Sequence, residues 1–258
     1  MLCRDIMKLL NEKYPHTEAL EWDNVGLIIG RQDKEVHKVY VALDVTDEII
    51  EDAILQKADF LLTHHPLIFS PLPCVTDEDF IGKRVVRLLQ HDICYYAIHT
   101  NYDVTTMGAL TAELLKLSDL EVLEETASDS SKGIGQVGLL NDEITLREFS
   151  AFVKKQFSLP EVRFYGNPDA KIRRVAVCPG SGKHMSQHAI EKKAQVLVTG
   201  DMDYHECLDA KEQGLAVIDA GHYGLEHIFI EDVARYIKEN MVDLEVAQAA
   251  IAHPFQVV

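Results

Sequence analysis

The stretch that most constrains this chain is residues 58–69, ADFLLTHHPLIF. An apolar run, Phe60-Leu61-Leu62, meets Thr63, two adjacent histidines and then Pro66. A short run with no polar alternation reads as a strand buried on both faces, the habit of parallel sheets. Pro66 has no N–H to give a ladder and steers His65 away from helical backbone, so the strand stops here. It leaves His64 and His65 at its carboxyl end, where open α/β sheets bind ligands. A histidine in an apolar stretch is commonly a packed side chain, so the meaning of the pair depends on what the other strand ends carry.

The flanking sequence sets the fold class. An amphipathic helix opens the chain, with Ile6, Leu9 and Leu10 on one face. Residues 21–27, EWDNVGL, hold the only tryptophan and read as a loop with an aromatic anchor. A strand over 39–43 (VYVAL) is followed by a helix through about 57, with Thr46 as its N-cap. After the histidine strand come a helix over 82–92, a strand over 93–98 (ICYYAI) and a helix over 107–117. Strands alternating with helices of this length imply βαβ units and a mostly parallel sheet.

The second half repeats the first. Residues 193–199, KAQVLVT, echo 57–63, KADFLLT, at an offset of 136, and Val175-Ala176-Val177 echoes Val39-Tyr40-Val41 at the same offset. Residues 215–219 (LAVID) echo 95–99. This is an internal duplication of one α/β unit. A polar, glycine-bearing stretch, 126–135, separates the copies, and 135–140 begins a second βα series with a helix over 145–157. A helix reaching 240 and a last strand over 244–252 close the chain. The expected architecture is α/β with two similar βαβ-based lobes: a first lobe over 1–126, onto which 225–258 packs back, and a second over 127–224.

Three strand ends carry metal-ligand residue types: His64-His65, His99 with Asp103, and His222 with Glu226. His222 and Glu226, four apart at a helix start, share one face and can reach one point. Four histidines and two carboxylates exceed the ligand set of one tetrahedral zinc. They suit two ions about 3.5–4 Å apart with a bridging carboxylate. Nitrogen and oxygen ligands without thiolate fit zinc, iron, manganese, nickel or cobalt equally. In the second copy Gly200-Asp201 stands where the first has His64-His65, and residues 201–206 (DMDYHE) read as a solvated loop or as support for a ligand in preference to a third metal position. Residues 178–184, CPGSGKH, only superficially resemble a Walker A loop, since Val177 and His184 occupy its required glycine and hydroxyl positions.

Composition narrows the partners. A formal net charge of −17 argues against nucleic acid and against anionic membrane surfaces. An anionic or nucleotide substrate would need metal ions to offset that field. Five scattered cysteines without a Cys-x-x-Cys pair read as free thiols of a cytoplasmic protein. No apolar run reaches the roughly 18 residues of a membrane helix, and the N-terminus lacks a signal-peptide pattern.

Taken together, Trp22-Asp23-Asn24-Val25-Gly26-Leu27, Thr63-His64-His65-Pro66-Leu67, His99-Thr100-Asn101-Tyr102-Asp103, Gly180-Ser181-Gly182 and Gly221-His222-Tyr223-Gly224-Leu225-Glu226 resemble the dinuclear-metal family labelled GTP cyclohydrolase 1 type 2 homologs. The resemblance spans nearly the whole chain. It implies that His64, His65, Asp103, His222 and Glu226 hold two divalent transition-metal ions between the lobes. Glu226 would bridge the ions and His99 would line the site as a catalytic proton shuttle. It also implies a homohexamer with its sites facing a central cavity. Two functions follow as expectations: a metal-dependent, cyclohydrolase-like hydrolase, or a non-enzymatic protein that stores, inserts or delivers metal or acts as a scaffold.

Overall fold

The computed structural model describes residues 1–126 and 131–258. The first half runs α1 (Cys3–Lys13), β1 (Gly26–Ile29), β2 (Lys38–Ala42), α2 (Asp47–Leu55), β3 (Phe60–Thr63), α3 (Phe80–Gln90), β4 (Cys94–Ala97), α4 (Thr100–Tyr102), a π-helical turn (Asp103–Met107), α5 (Gly108–Leu114) and β5 (Ser118–Glu125). The second half runs β6 (Gly133–Thr145), α6 (Leu146–Gln156), β7 (Arg163–Tyr165), β8 (Lys171–Ser181), α7 (Met185–Glu191), β9 (Val196–Gly200), α8 (Tyr204–Glu212), β10 (Ala216–Asp219), α9 (His222–Glu226), α10 (Ile228–Asn240) and β11 (Glu245–Gln248). Among the described residues no helix is long and apolar enough to cross a membrane.

The chain forms two compact units, each with its own sheet. The first comprises Met1–Tyr102 and His227–Ile251, the second Asp103–Glu226 and Ala252–Val258. The first unit thus ends earlier than the expected 126. The cause is the segment after Tyr102: at Gly108 the backbone runs so close to Gly135 and Gln136 of β6 that a Cβ there would sit 3.2 Å from them. α5, expected to close the first lobe, therefore belongs to the second unit. Of the polar stretch 126–135 expected to separate the copies, residues 127–130 lie outside the described residues. α10 and β11 fall within the first unit. Residues 252–258 join the second unit instead, where Ala252 N donates to the Tyr223 hydroxyl at 3.0 Å.

In the first unit the sheet order is β1-β4-β3-β2-β11, with β4, β3, β2 and β11 parallel and β1 antiparallel at the edge. Phe60, Leu61 and Leu62 are fully buried, as a central parallel strand requires. Thr46 caps α2 as its spacing predicts, its Oγ1 accepting from Ile49 N at 3.2 Å. The closing strand β11 is shorter than the predicted 244–252, and its four residues pair with β2.

In the second unit the order is β5-β6-β8-β9-β10-β7. β8, β9 and β10 are parallel. β6 does not begin a parallel βα series. It is a 13-residue strand, antiparallel to both β5 and β8. An alternating apolar pattern reports which face is buried and is silent about strand direction, so the sequence could not show this.

The sequence echo extends to backbone detail. Lys57 and Lys193 both adopt left-handed backbone, with φ of 57° and 58°. Each closes its helix in the same way: Ala58 N donates to Ala53 O and Ala194 N to Ala189 O, both at 2.9 Å. Each turn feeds a buried strand ending in a fully buried threonine, Thr63 or Thr199.

Candidate metal centre

In the first unit, strand register collects the histidines. Thr63 of β3 pairs with Ala42 of β2 on one side and with Ala97 of β4 on the other. Three strands therefore end level, and the residues just beyond them, Asp44, His64, His65 and His99, emerge side by side. The Tyr95 hydroxyl pins the histidine turn, accepting from Leu67 N at 2.8 Å and donating to the His65 carbonyl at 3.0 Å. One ring nitrogen each of His64, His65 and His99 lies within 4.8 Å of the other two.

Every one of these imidazoles is held by its Nδ1. His64 Nδ1–H donates to the Ile98 carbonyl at 2.9 Å. His65 Nδ1–H donates to Asp44 Oδ1 at 2.7 Å, and His99 Nδ1–H to Asp23 Oδ1 at 2.9 Å. Carbonyls and carboxylates only accept, so Nδ1 carries the proton and Nε2 the lone pair. This is the arrangement that fixes ring orientation and raises basicity in metal-ligating histidines. Asp23 is the most deeply set partner, with no exposed side-chain surface. Burial pushes its carboxyl up, but hydrogen bonds from His99 and Thr100 outweigh that and hold it at about 2.

The second unit presents its own ligand set. β9 and β10 are in register, Thr199 against Asp219, so Asp201 and His222 emerge together beyond their ends. His222 Nδ1–H donates to Asp201 Oδ2 at 3.0 Å, the supporting role that a carboxylate after β9 could fill. One turn along α9, Glu226 Oε2 lies 2.9 Å from His222 Nε2, with the carboxylate 4% exposed. The i, i+4 spacing thus converges on one point. Asp103 opens the π-helical turn, a backbone form that recurs at functional sites because it re-aims a side chain. One carboxylate oxygen of Asp103 lies within 4.8 Å of one of Glu226, and burial, with these carboxylates and Glu124 nearby, raises the Cys178 thiol well above its usual range.

Glycines make room for this pair. A Cβ on Gly180, whose φ is +76°, would fall 2.4 Å from Glu226 Oε1, and one on Gly200 would fall 2.3 Å from His222 N. The 180–182 turn therefore accommodates the His222–Glu226 pair. Position 200, which answers to His64 in the sequence echo, has no room for a side chain. All five cysteines are free thiols.

The residues present suit divalent transition-metal ions: imidazoles with one nitrogen committed to an acceptor, carboxylates beside them, and no thiolate among them. Sequence reasoning identified the imidazoles and overlooked two of their holders. Asp44 directly follows the 39–43 strand and Asp23 lies in the tryptophan loop, so position offered a signal for the first and a conspicuous loop for the second. Trp22 itself is not an internal anchor: it is 61% exposed.

The sequence profile of the Duf34/NIF3 (NGG1p interacting factor 3) family matches residues 1–254. The chain belongs to this family. Among its curated members, a Lactococcus lactis protein named GTP cyclohydrolase 1 type 2 homolog is 38% identical over 91% of this chain and 90% of its own length. A Staphylococcus aureus hypothetical protein of solved structure superposes with a TM-score of 0.91 at 29% identity, over 100% of this chain and 99% of its own. A Bacillus cereus protein described as related to NIF3 does so at 0.90 and 26%, with the same coverage. The α/β class read from the sequence is that of the NIF3 structures.

Proposed function

We propose that this Duf34/NIF3 chain is a metal-dependent hydrolase whose centre uses His64, His65, Asp103, His222 and Glu226 to hold two divalent transition-metal ions, with Glu226 as the bridge. The observation that carries the reading is the pairing of each imidazole Nδ1 with an acceptor, which leaves Nε2 of every ring as the nitrogen that can ligate. The curated name borne by relatives, GTP cyclohydrolase 1 type 2 homolog, points the same way.

Bound ions would supply Lewis acidity and an acidified water, suited to attack on a carbonyl, amidine or phosphoryl centre. The protein's own contribution lies in His99. Its Nδ1–H is committed to Asp23, so Nε2 is the atom that accepts and returns a proton. Asp23, kept ionised by its hydrogen bonds, stabilises the imidazolium that forms and prevents the ring from flipping to the other tautomer. Asp44 and Asp201 do the same orienting work for His65 and His222. The chain is also proposed to act as a homohexamer, on the family resemblance, which light scattering at micromolar concentration tests.

The test of function combines elemental analysis with turnover measured metal by metal, across nucleotides, cyclic phosphodiesters and small amides. About two ions per chain and turnover in at least one substrate class support the reading. Two firmly bound ions without turnover in any class would replace the hydrolase with a protein that stores, inserts or delivers metal.

A further inference from the structure

Two large aromatics stand exposed against the catalytic candidate His99. Trp22 is 61% exposed and Phe69 54% exposed. Each ring meets the His99 imidazole edge-on, with centroids 5.9 and 5.8 Å away and interplanar angles of 73° and 81°. They come from different loops, one before β1 and one after β3, so their meeting at one imidazole is a product of the fold. The loops are tied together: Asn24 Nδ2 donates to the Ile68 carbonyl at 2.7 Å. The tryptophan loop is fixed from inside as well, with Asp23 N bonded to Leu20 O and Leu20 N to Thr100 Oγ1, both at 2.9 Å. Trp22 is thus displayed in a held position.

We propose that Trp22 and Phe69 form a stacking platform that receives a planar nitrogen heterocycle of nucleobase size beside His99. The inference rests on the hydrolase reading for the chemistry that follows binding, and names the substrate class of that same site. The physical match is specific. A heterocycle has an apolar face that covers an aromatic side chain and a polar edge that suits the imidazoles and carboxylates next to it. A bare phosphate has no such face, and a sugar offers C–H groups but no π-face to stack. In a chain of net charge −17, recognition through a neutral ring also avoids the repulsion that a bare anion would meet.

The chain contains one tryptophan, so its fluorescence reports this platform alone. Purified protein of measured metal content is titrated with guanosine, with ribose and inorganic phosphate as controls and with correction for absorbance. Guanosine is expected to quench Trp22 saturably, while the controls leave it unchanged. By equilibrium dialysis, Trp22→Ala should weaken guanosine binding roughly five- to a hundredfold, Phe69→Ala should weaken it severalfold, and Trp22→Phe should retain most of it. Metal content and far-ultraviolet dichroism should be the same in all three variants. The proposal falls if quenching is absent or equal with ribose, or if Trp22→Ala binds guanosine like wild type. It falls also if Trp22 is shielded from acrylamide in the assembled protein, which would make the aromatics a contact between copies of this chain. Guanosine binding without turnover on any metal leaves the platform standing and removes the hydrolase. Turnover of a non-aromatic ester with a silent Trp22 does the opposite.

Discussion

Asp23 and His99 form a part-buried carboxylate–imidazole pair, 2.9 Å between Oδ1 and Nδ1, joined across a 76-residue separation. Asp23 also accepts from the backbone N–H of Thr100 at 2.9 Å and from its hydroxyl. One side chain thus sets the ring orientation of His99 and anchors the first turn of α4.

The pair carries a pH signature. The Asp23 carboxyl is held at about 2 in the folded protein, below its ordinary value near 3.8. A depressed carboxylate stabilises the fold fully above the unfolded value, and that contribution is lost as pH falls through the folded one. Between pH 5 and pH 3 the stability advantage of metal-free wild type over Asp23→Asn should shrink by about 1 kcal/mol, with the rest lost only as pH falls through the folded value. Urea midpoints at stepped pH measure it. A constant gap between the two proteins would refute the assignment.

Removing the orienting carboxylates should weaken metal binding while the ligands stay in place. Asp44→Asn and Asp201→Asn are each expected to lower affinity about 10- to 100-fold, the usual effect of losing such a partner. Competition with a chromogenic chelator reads this directly. Affinities unchanged in both variants would mean that the Nδ1 bonds serve packing alone.

Among the ligand candidates, Glu226→Ala should lose both ions, because the bridge contributes to each. His64→Ala or His65→Ala should lose mainly one. Elemental analysis of the purified variants decides, and full occupancy in Glu226→Ala would end the bridging assignment.

Metal retention should fall steeply as pH drops below the ordinary histidine value of about 6.5, since each ligand imidazole must be neutral to bind a cation. Several imidazoles titrating together make the loss cooperative. Dialysis at stepped pH, with His222→Ala beside wild type, measures the midpoint. Retention well below pH 5, or a variant that matches wild type, would overturn a histidine-centred site.

Two glycines with left-handed backbone should respond differently to substitution, for spatial reasons. Gly180→Ala would drive a Cβ to 2.4 Å from Glu226 Oε1 at a φ of +76°, so metal content should drop even where the fold survives. Gly214 has a similar φ of +87° with nothing within 4 Å of its Cβ position. Gly214→Ala should therefore cost only about 1 kcal/mol of backbone strain and leave metal content unchanged.

The amino-acid sequence by itself determined what is local. Residues 58–66 already hold a strand, its stop and its two imidazoles, because burial on both faces and a proline's missing N–H act over a few neighbouring residues. His222 and Glu226 were legible as a converging pair because helix periodicity is a property of the backbone. The matching helix-to-strand turns at Lys57 and Lys193 were legible as an echo for the same reason. Tertiary structure decided what depends on register and direction. That Asp44 meets His65, Asp23 meets His99 and Asp201 meets His222 follows from which strands pair and where they end level, and no local pattern encodes that. The antiparallel course of β6 and the early end of the first unit at Tyr102 were hidden likewise: an apolar face says that a segment is buried, while its partner is chosen by the packing of the whole sheet.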